Sequence, residues 1–262
     1  FGDLTMERSQ LYLSTIDPEA GNIARAQGLG VEIADFCTAC NADELFDETN
    51  RRVLAQTRGI ARRVLHGPFN ELFPCAIDPL ARKLAAYRYA QALELARRYG
   101  AQKLVLHGGY SPRLYFPCWY VEQSVAFWRE FLEQHPGEYE ICLENVMEEA
   151  PEMLLSIVRQ VADPRLRLCL DVGHVNSYSG IPAIEWMAQY GPWLSHLHLH
   201  NNDASADTHS PLPRGSLPMA DIIRRIDTAM TATLELMEIG DSLPWLEAHG
   251  LLNRPDIEKQ GD

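Results

Sequence analysis

Short apolar runs rich in β-formers alternate along the chain with longer stretches of helical periodicity. The runs predict strands at Leu11–Ile16, Val31–Phe36, Arg63–Gly67, Lys103–His107, Glu140–Glu144, Arg167–Asp171, Leu194–His200 and Thr231–Leu236. The periodic stretches predict helices at Pro18–Gln27, Asp47–Arg58, Pro79–Tyr99, Val121–Gln134, Pro151–Val161, Pro182–Gln189, Met219–Thr228 and Leu243–His249. Pro18, Pro79, Pro151 and Pro182 fall at helix starts, where the missing N–H costs least. Gly100 follows the clearest helix at the position of a left-handed cap. Eight strands in strict alternation with eight helices imply a parallel sheet, and over 262 residues the count fits one closed (β/α)8 barrel, a TIM barrel, spanning residues 1–262 as a single domain. An open doubly wound sheet would want a Gly-rich turn after its first strand, and Ile16-Asp17-Pro18 is not one.

Composition narrows the picture. Apolar residues make up 46% and charged residues 23%, enough for a sizeable core. No apolar run approaches the roughly 20 residues of a membrane span. The opening stretch, Phe1–Gln10, shows no basic region followed by an apolar one, so no signal peptide is expected. The net charge of −13 works against nonspecific binding to nucleic acid or an anionic membrane, although a bound metal can reverse the field locally. Six cysteines in a chain this long do not make a disulfide scaffold. Cys142 and Cys169 read as buried strand residues. Cys37 and Cys40 form a lone CxxC without the second pair of a structural zinc site. A reducing cytoplasm is the expected location.

In such a barrel the chemistry sits at the C-terminal ends of the strands. Strand three ends at His66, strand four at His107, strand five at Glu144 and strand six in Asp171-Val172-Gly173-His174. Strand seven carries His196, His198 and His200, which alternate and so share one face. Strand eight ends at Glu235, and the loop after strand seven carries Asp207-Thr208-His209. Taken singly, a strand-end Asp caps a helix and a lone His packs in a core. Together these residues are the inventory of a divalent-metal site with nitrogen and oxygen ligands. Burying several carboxylates together without a cation would be very costly. The many histidines favour zinc over magnesium, with manganese as the alternative.

These residues carry a resemblance. Leu-Glu-Asn at 143–145, Asp-Val-Gly-His at 171–174, His-Leu-His-Asn-Asn-Asp at 198–203 and Asp-Thr-His at 207–209 resemble the xylose isomerase-like TIM-barrel superfamily, from the first strand to the eighth. The superfamily includes endonuclease IV and many sugar and sugar-phosphate isomerases and epimerases. Likeness to endonuclease IV implies three zinc ions. His66, His107 and Glu144 would hold the first. Glu144 would bridge to a second, held also by Asp171, His198 and Glu235. His174, Asp207 and His209 would hold the third. The usual His-x-x-Asp selects His198 but meets Asn201 where Asp is expected, while His200 fits it with Asp203, so His200 is the alternate ligand. Likeness to the isomerases implies one ion on Glu144, Asp171, the strand-seven histidine and Glu235, with the two glutamates as the catalytic acid–base pair. The epimerases' additional glutamate, after strand five, meets Ala150.

Two activities follow as expectations. One is hydrolysis of a phosphoester on a small phosphorylated or sugar-like substrate by two to three ions. The other is isomerisation or epimerisation of a sugar or sugar phosphate. Cleavage of abasic DNA is a weaker alternative, because the loops after strands two and three are not basic, and Arg113 and Arg214 are the cations nearest the site loops. A catalytically silent binding barrel is the remaining class. Arg214, Phe69 and Tyr110 are candidate substrate contacts. The aromatic loop Tyr110–Tyr120 suggests a lid.

Overall fold

In a computed structural model of the chain, residues 5–253 are described. Eight parallel strands close into a barrel in chain order: β1 (Leu11–Ser14), β2 (Gly30–Ile33), β3 (Arg63–His66), β4 (Lys103–His107), β5 (Ile141–Glu144), β6 (Leu166–Asp171), β7 (Leu194–Leu199) and β8 (Thr231–Leu234). Around them run α1 (Ala20–Gln27), α2 (Phe46–Thr57), α3 (Pro79–Tyr99), α4 (Pro117–Gln134), α5 (Glu152–Val161), α6 (Val172–Tyr178), α7 (Ala183–Tyr190), α8 (Met219–Ile223) and α9 (Ser242–Ala248). No helix among the described residues is long and apolar enough to cross a membrane.

The strands alternate in an unusual sense for a parallel sheet. Their outward side chains, such as Leu13, Ile33, Leu65, Leu106, Leu143, Leu170, Leu197 and Leu234, join the apolar cluster that the helices cover. Each such buried side chain contributes about 1.5–3 kcal/mol. Inside the barrel only a small second cluster is apolar: Tyr12, Val64, Val105, Cys142 and Cys169. That layer places Cys142 and Cys169 as the strand thiols expected, while Cys37 is half-buried and Cys40 exposed, both unpaired. Below it Lys103 bonds Thr231 Oγ1 (2.8 Å) and Ser195 Oγ (2.8 Å). Above it lie the strand ends.

Helix boundaries follow local chemistry. Asp78 accepts from Leu80 N (2.8 Å) ahead of Pro79, and Gly100 (φ 63°) ends α3 in the left-handed region. Three helices differ from the sequence reading by a turn or more. α8 stops at Ile223 rather than at Thr228. α4 begins at Pro117 rather than Val121, which shortens the aromatic loop. Trp119 Nε1 also ties it down by donating to Cys75 O (2.9 Å), so the stretch is anchored rather than built as a free lid. α6 has no counterpart in the sequence reading, because a helix this short carries little periodicity and begins within one residue of the strand. Asp171 caps it, accepting from His174 N (2.7 Å).

Replacing Asp78 by Ala removes the α3 cap and should cost about 1 kcal/mol, lowering Tm by roughly 2–4 °C in calorimetry. An unchanged melting temperature would show that Pro79 alone sets the start of α3.

Candidate metal centre

Register brings the strand ends together. His107 pairs with Glu144 across β4 and β5, and Asp171 with His198 across β6 and β7. A register shift at Leu168/Cys169 precedes the second pair. Asn145 clamps the β5 and β6 ends reciprocally: its Nδ2 donates to Asp171 O (3.0 Å) and its Oδ1 accepts from Asp171 N (2.9 Å).

Ligand-type atoms then converge in overlapping groups, each spanning no more than 4.8 Å: His66, His107 and Glu144; Glu144, Asp171, His198 and Glu235; His174, His200, Asp207 and His209; and Glu32, His66, His198 and Glu235. Glu144 Oε2 lies 3.1 Å from His66 Nε2 and 3.4 Å from His107 Nε2. Its Oε1 lies 3.2 Å from His198 Nδ1, which is 3.3 Å from Glu235 Oε2 and 3.8 Å from Asp171 Oδ2. Asp207 Oδ2 is 3.2 Å from both His174 Nε2 and His209 Nε2, and Asp207 Oδ1 is 3.6 Å from His200 Nε2.

These residues fit a divalent ion in three respects. Ligand atoms 2.0–2.2 Å from a tetrahedral ion stand about 3.3–3.6 Å apart, close to most of these separations. The histidines are also oriented by their other nitrogens. His66 Nδ1 donates to Gly67 O (2.9 Å), His174 Nδ1 to Asn145 O (2.8 Å) and His209 Nδ1 to Glu235 O (2.9 Å). Outer-nitrogen bonds of this kind fix the tautomer of a ligating imidazole. Finally, Asp207 Oδ1 and His200 Nδ1 are buried without a hydrogen bond among the described residues. His209 is held at φ 47°, a conformation that non-glycine residues rarely adopt outside strained or functional sites.

Burial opposes charge at Glu144, but the His198 and His107 rings outweigh it and hold the carboxyl well below its usual range. Burial is likewise overcome at Asp171, held at about 2 by His174 and His200. Burial pushes His107 down to about 4 despite Glu144, keeping its nitrogens free of a second proton. At His174 burial loses to Asp171 and then Asp207, and the ring rises to about 10. At His209 it loses to Asp207 and then Glu235, and the ring rises to about 9.

Residues 23–248 match the family described as Xylose isomerase-like TIM barrel. The chain belongs to that family. An uncharacterized protein of Methanocaldococcus jannaschii is 28% identical over 174 residues, covering 62% of this chain and 59% of that protein's length. The TTHB071 protein from Thermus thermophilus, solved after soaking with ZnCl2, is 26% identical, covers 92% of this chain and 97% of its own, and superposes with a TM-score of 0.72. A D-tagatose 3-epimerase-like protein (21% identical, TM-score 0.70, 92% and 96% covered) shares the fold. So does the IolI protein with a bound zinc atom (15%, 0.70, 92% and 96%).

His198 and His200, alternatives in the sequence reading, join different groups of ligand-type atoms. Asn201, where the family pattern expects Asp, needs its amide: Nδ2 donates to Leu212 O (2.8 Å) while Oδ1 accepts from Leu217 N (3.1 Å). Asp203 instead sits in an exposed turn, bonded to Ser205 N (3.0 Å). Of the candidate substrate contacts, Phe69 stacks on His107 with centroids 4.3 Å apart and walls the site. Tyr110 is buried against Tyr120 instead, and exposed Arg214 pairs with Asp241 (2.7 Å). Glu32 was missed. It is wholly buried near the end of β2, level with Val64 and so a layer below His66, yet bonds His198 and His196. The signal was a carboxylate between Val31 and Ile33 in an otherwise apolar strand.

Ion uptake must displace protons from His174 and His209, because both sit above neutrality in the metal-free chain. Zinc added at pH 7 should therefore release protons, and apparent affinity should strengthen up to about tenfold per pH unit for each proton displaced. A pH-independent affinity between pH 6 and 8 would mean these histidines are not ligands.

Proposed function

We propose that this chain is a divalent-metal-dependent hydrolase acting on a phosphoester in a small phosphorylated or sugar-like substrate, and that zinc is its natural ion. The observation that carries the reading is Glu144. Its Oε2 faces His66 and His107 while its Oε1 faces His198, so one carboxylate serves two ligand groups. His66, His107 and Glu144 would hold one ion; Glu144, Asp171, His198 and Glu235 a second; His174, Asp207 and His209 a third. Such ions, when bound, supply an activated water near neutral pH and neutralise charge on a phosphoryl group.

Charge supports this reading over a single ion. Glu32, Glu144, Asp171, Asp207 and Glu235 converge here, and among the described residues their ion pairs are all with histidines. Three doubly charged ions against five carboxylates leave the site about neutral to positive, whereas one leaves it strongly negative and repels a phosphate. The protein's own part is to hold the ligands rigid. Phe69 stacked on His107 supplies an apolar wall, while proton exchange by Glu144 and Glu235 belongs to the epimerase reading. The same lack of cations, with Arg214 turned to Asp241, argues against a DNA duplex as substrate.

The second reading is sugar or sugar-phosphate epimerisation. It is favoured by the two glutamates flanking His198 Nδ1 from β5 and from just beyond β8, at 3.2 and 3.3 Å. The epimerase-like neighbour of the same fold is consistent with it.

Elemental analysis of protein purified without chelator or added metal should find two to three zinc ions per chain. One ion, manganese or zinc, would move the reading to the epimerase. On a phosphoester panel Glu144→Gln should lose at least ~100-fold in kcat. Survival of turnover would overturn the site. His209→Ala should lose one ion and most hydrolysis; a single-ion epimerase would keep most of its activity.

A further inference from the structure

The floor beneath the centre is polar. Glu32 Oε1 lies 3.0 Å from His198 Nε2, and its Oε2 lies 3.1 Å from His196 Nε2 and accepts from Thr233 Oγ1. His196 Nδ1 is 2.6 Å from Thr231 Oγ1, which accepts from Lys103 Nζ (2.8 Å). Lys103 Nζ also donates to Ser195 Oγ, which donates to Glu140 Oε1 (2.5 Å). The chain of bonds runs from the centre through the barrel to its opposite end, and Glu32, His196, His198 and Thr233 are wholly buried along it.

The directions are determined by chemistry. Facing a carboxylate, His196 Nε2 donates to Glu32 Oε2. Thr231 Oγ1 accepts from Lys103 Nζ, and of the two acceptors near its own proton, His196 Nδ1 (2.6 Å) is closer than Ser195 O (3.4 Å). An ionised Glu32 has only lone pairs, so His198 must also present Nε2–H to it. That leaves Nδ1 of His198 as the nitrogen facing Glu144, Asp171 and Glu235, the one that would give up its proton to an ion held there.

We infer that Glu32 is a positioning residue, which holds His198 with Nε2–H down and Nδ1 toward the ion shared by Glu144, Asp171 and Glu235, and that the Lys103–Thr231–His196 line holds Glu32 in turn. This role rests on the metal reading above. A carboxylate behind a ligating imidazole typically changes metal affinity 10–100-fold.

The test loads 15N-histidine-labelled protein with 113Cd and reads which His198 nitrogen couples to the metal, beside cadmium affinity from chelator competition. Wild type should couple through Nδ1. Glu32→Gln, whose amide can turn an N–H toward the ring, should weaken one ion 10–100-fold and mix Nδ1 with Nε2 coupling, while Glu32→Asp should recover part of the affinity. Thr233→Val, which removes one hydroxyl from Glu32, is the milder variant should the Glu32 substitutions fail to fold, and should weaken the same ion severalfold. Unchanged coupling and affinity in folded variants would overturn the role of Glu32 alone. A wild-type chain that takes up no cadmium would overturn the metal reading and this role with it.

Discussion

Buried negative charge is the constraint on which this barrel turns. Glu32, Glu144, Asp171 and Glu235 lie almost out of contact with water, and Asp207 is only partly exposed. Isolated carboxylates would not ionise there at tolerable cost, because desolvation of each charge amounts to several kcal/mol. Histidines make it tolerable. Every ion pair described for Glu144 is to an imidazole, and that of Asp207 to His174 and His209 draws the two loop residues onto the barrel. Without ions the cluster holds itself together by protonating rings such as His174. With ions, the same atoms exchange protons for metal.

The polar inner faces of the strands follow from that requirement. The outer faces of a closed parallel barrel pack against its helices in any case, whereas its inside is ordinarily filled with branched apolar side chains, and here histidines and carboxylates take most of that space. Only one thin apolar layer, with Cys142, Cys169, Val64 and Val105, spans the interior. The polar bonds at Glu32 and His196 pass beside it along β2, β7 and β8. The centre is therefore supported from beneath by side chains on strands rather than by mobile loops, and rigid support of this kind keeps ligand geometry within the tolerance that metal binding needs. His174, Asp207 and His209 are the exceptions, carried by α6 and a loop, and they depend on Asp171 capping α6 and on Glu235 O receiving His209.

The amino-acid sequence by itself determined the barrel. Period-two and longer helical patterns separate cleanly when strands are short and helices amphipathic, and α3 and β4 fall where that pattern puts them. It also determined which residues gather at the mouth, since position at a strand's C-terminal end is a local property once the topology is closed. Tertiary structure decided the rest, for reasons no local pattern carries. His196, His198 and His200 share one face and one spacing, and only groups on other strands and loops separate them: Glu32 between His196 and His198, Glu144 and Glu235 around His198, Asp171 and Asp207 around His200. Glu32 looked like an ordinary strand residue until β7 was laid close to it across the barrel interior. The direction of a side chain is written locally, but its partner depends on how distant strands are registered, and that register is a property of the closed sheet.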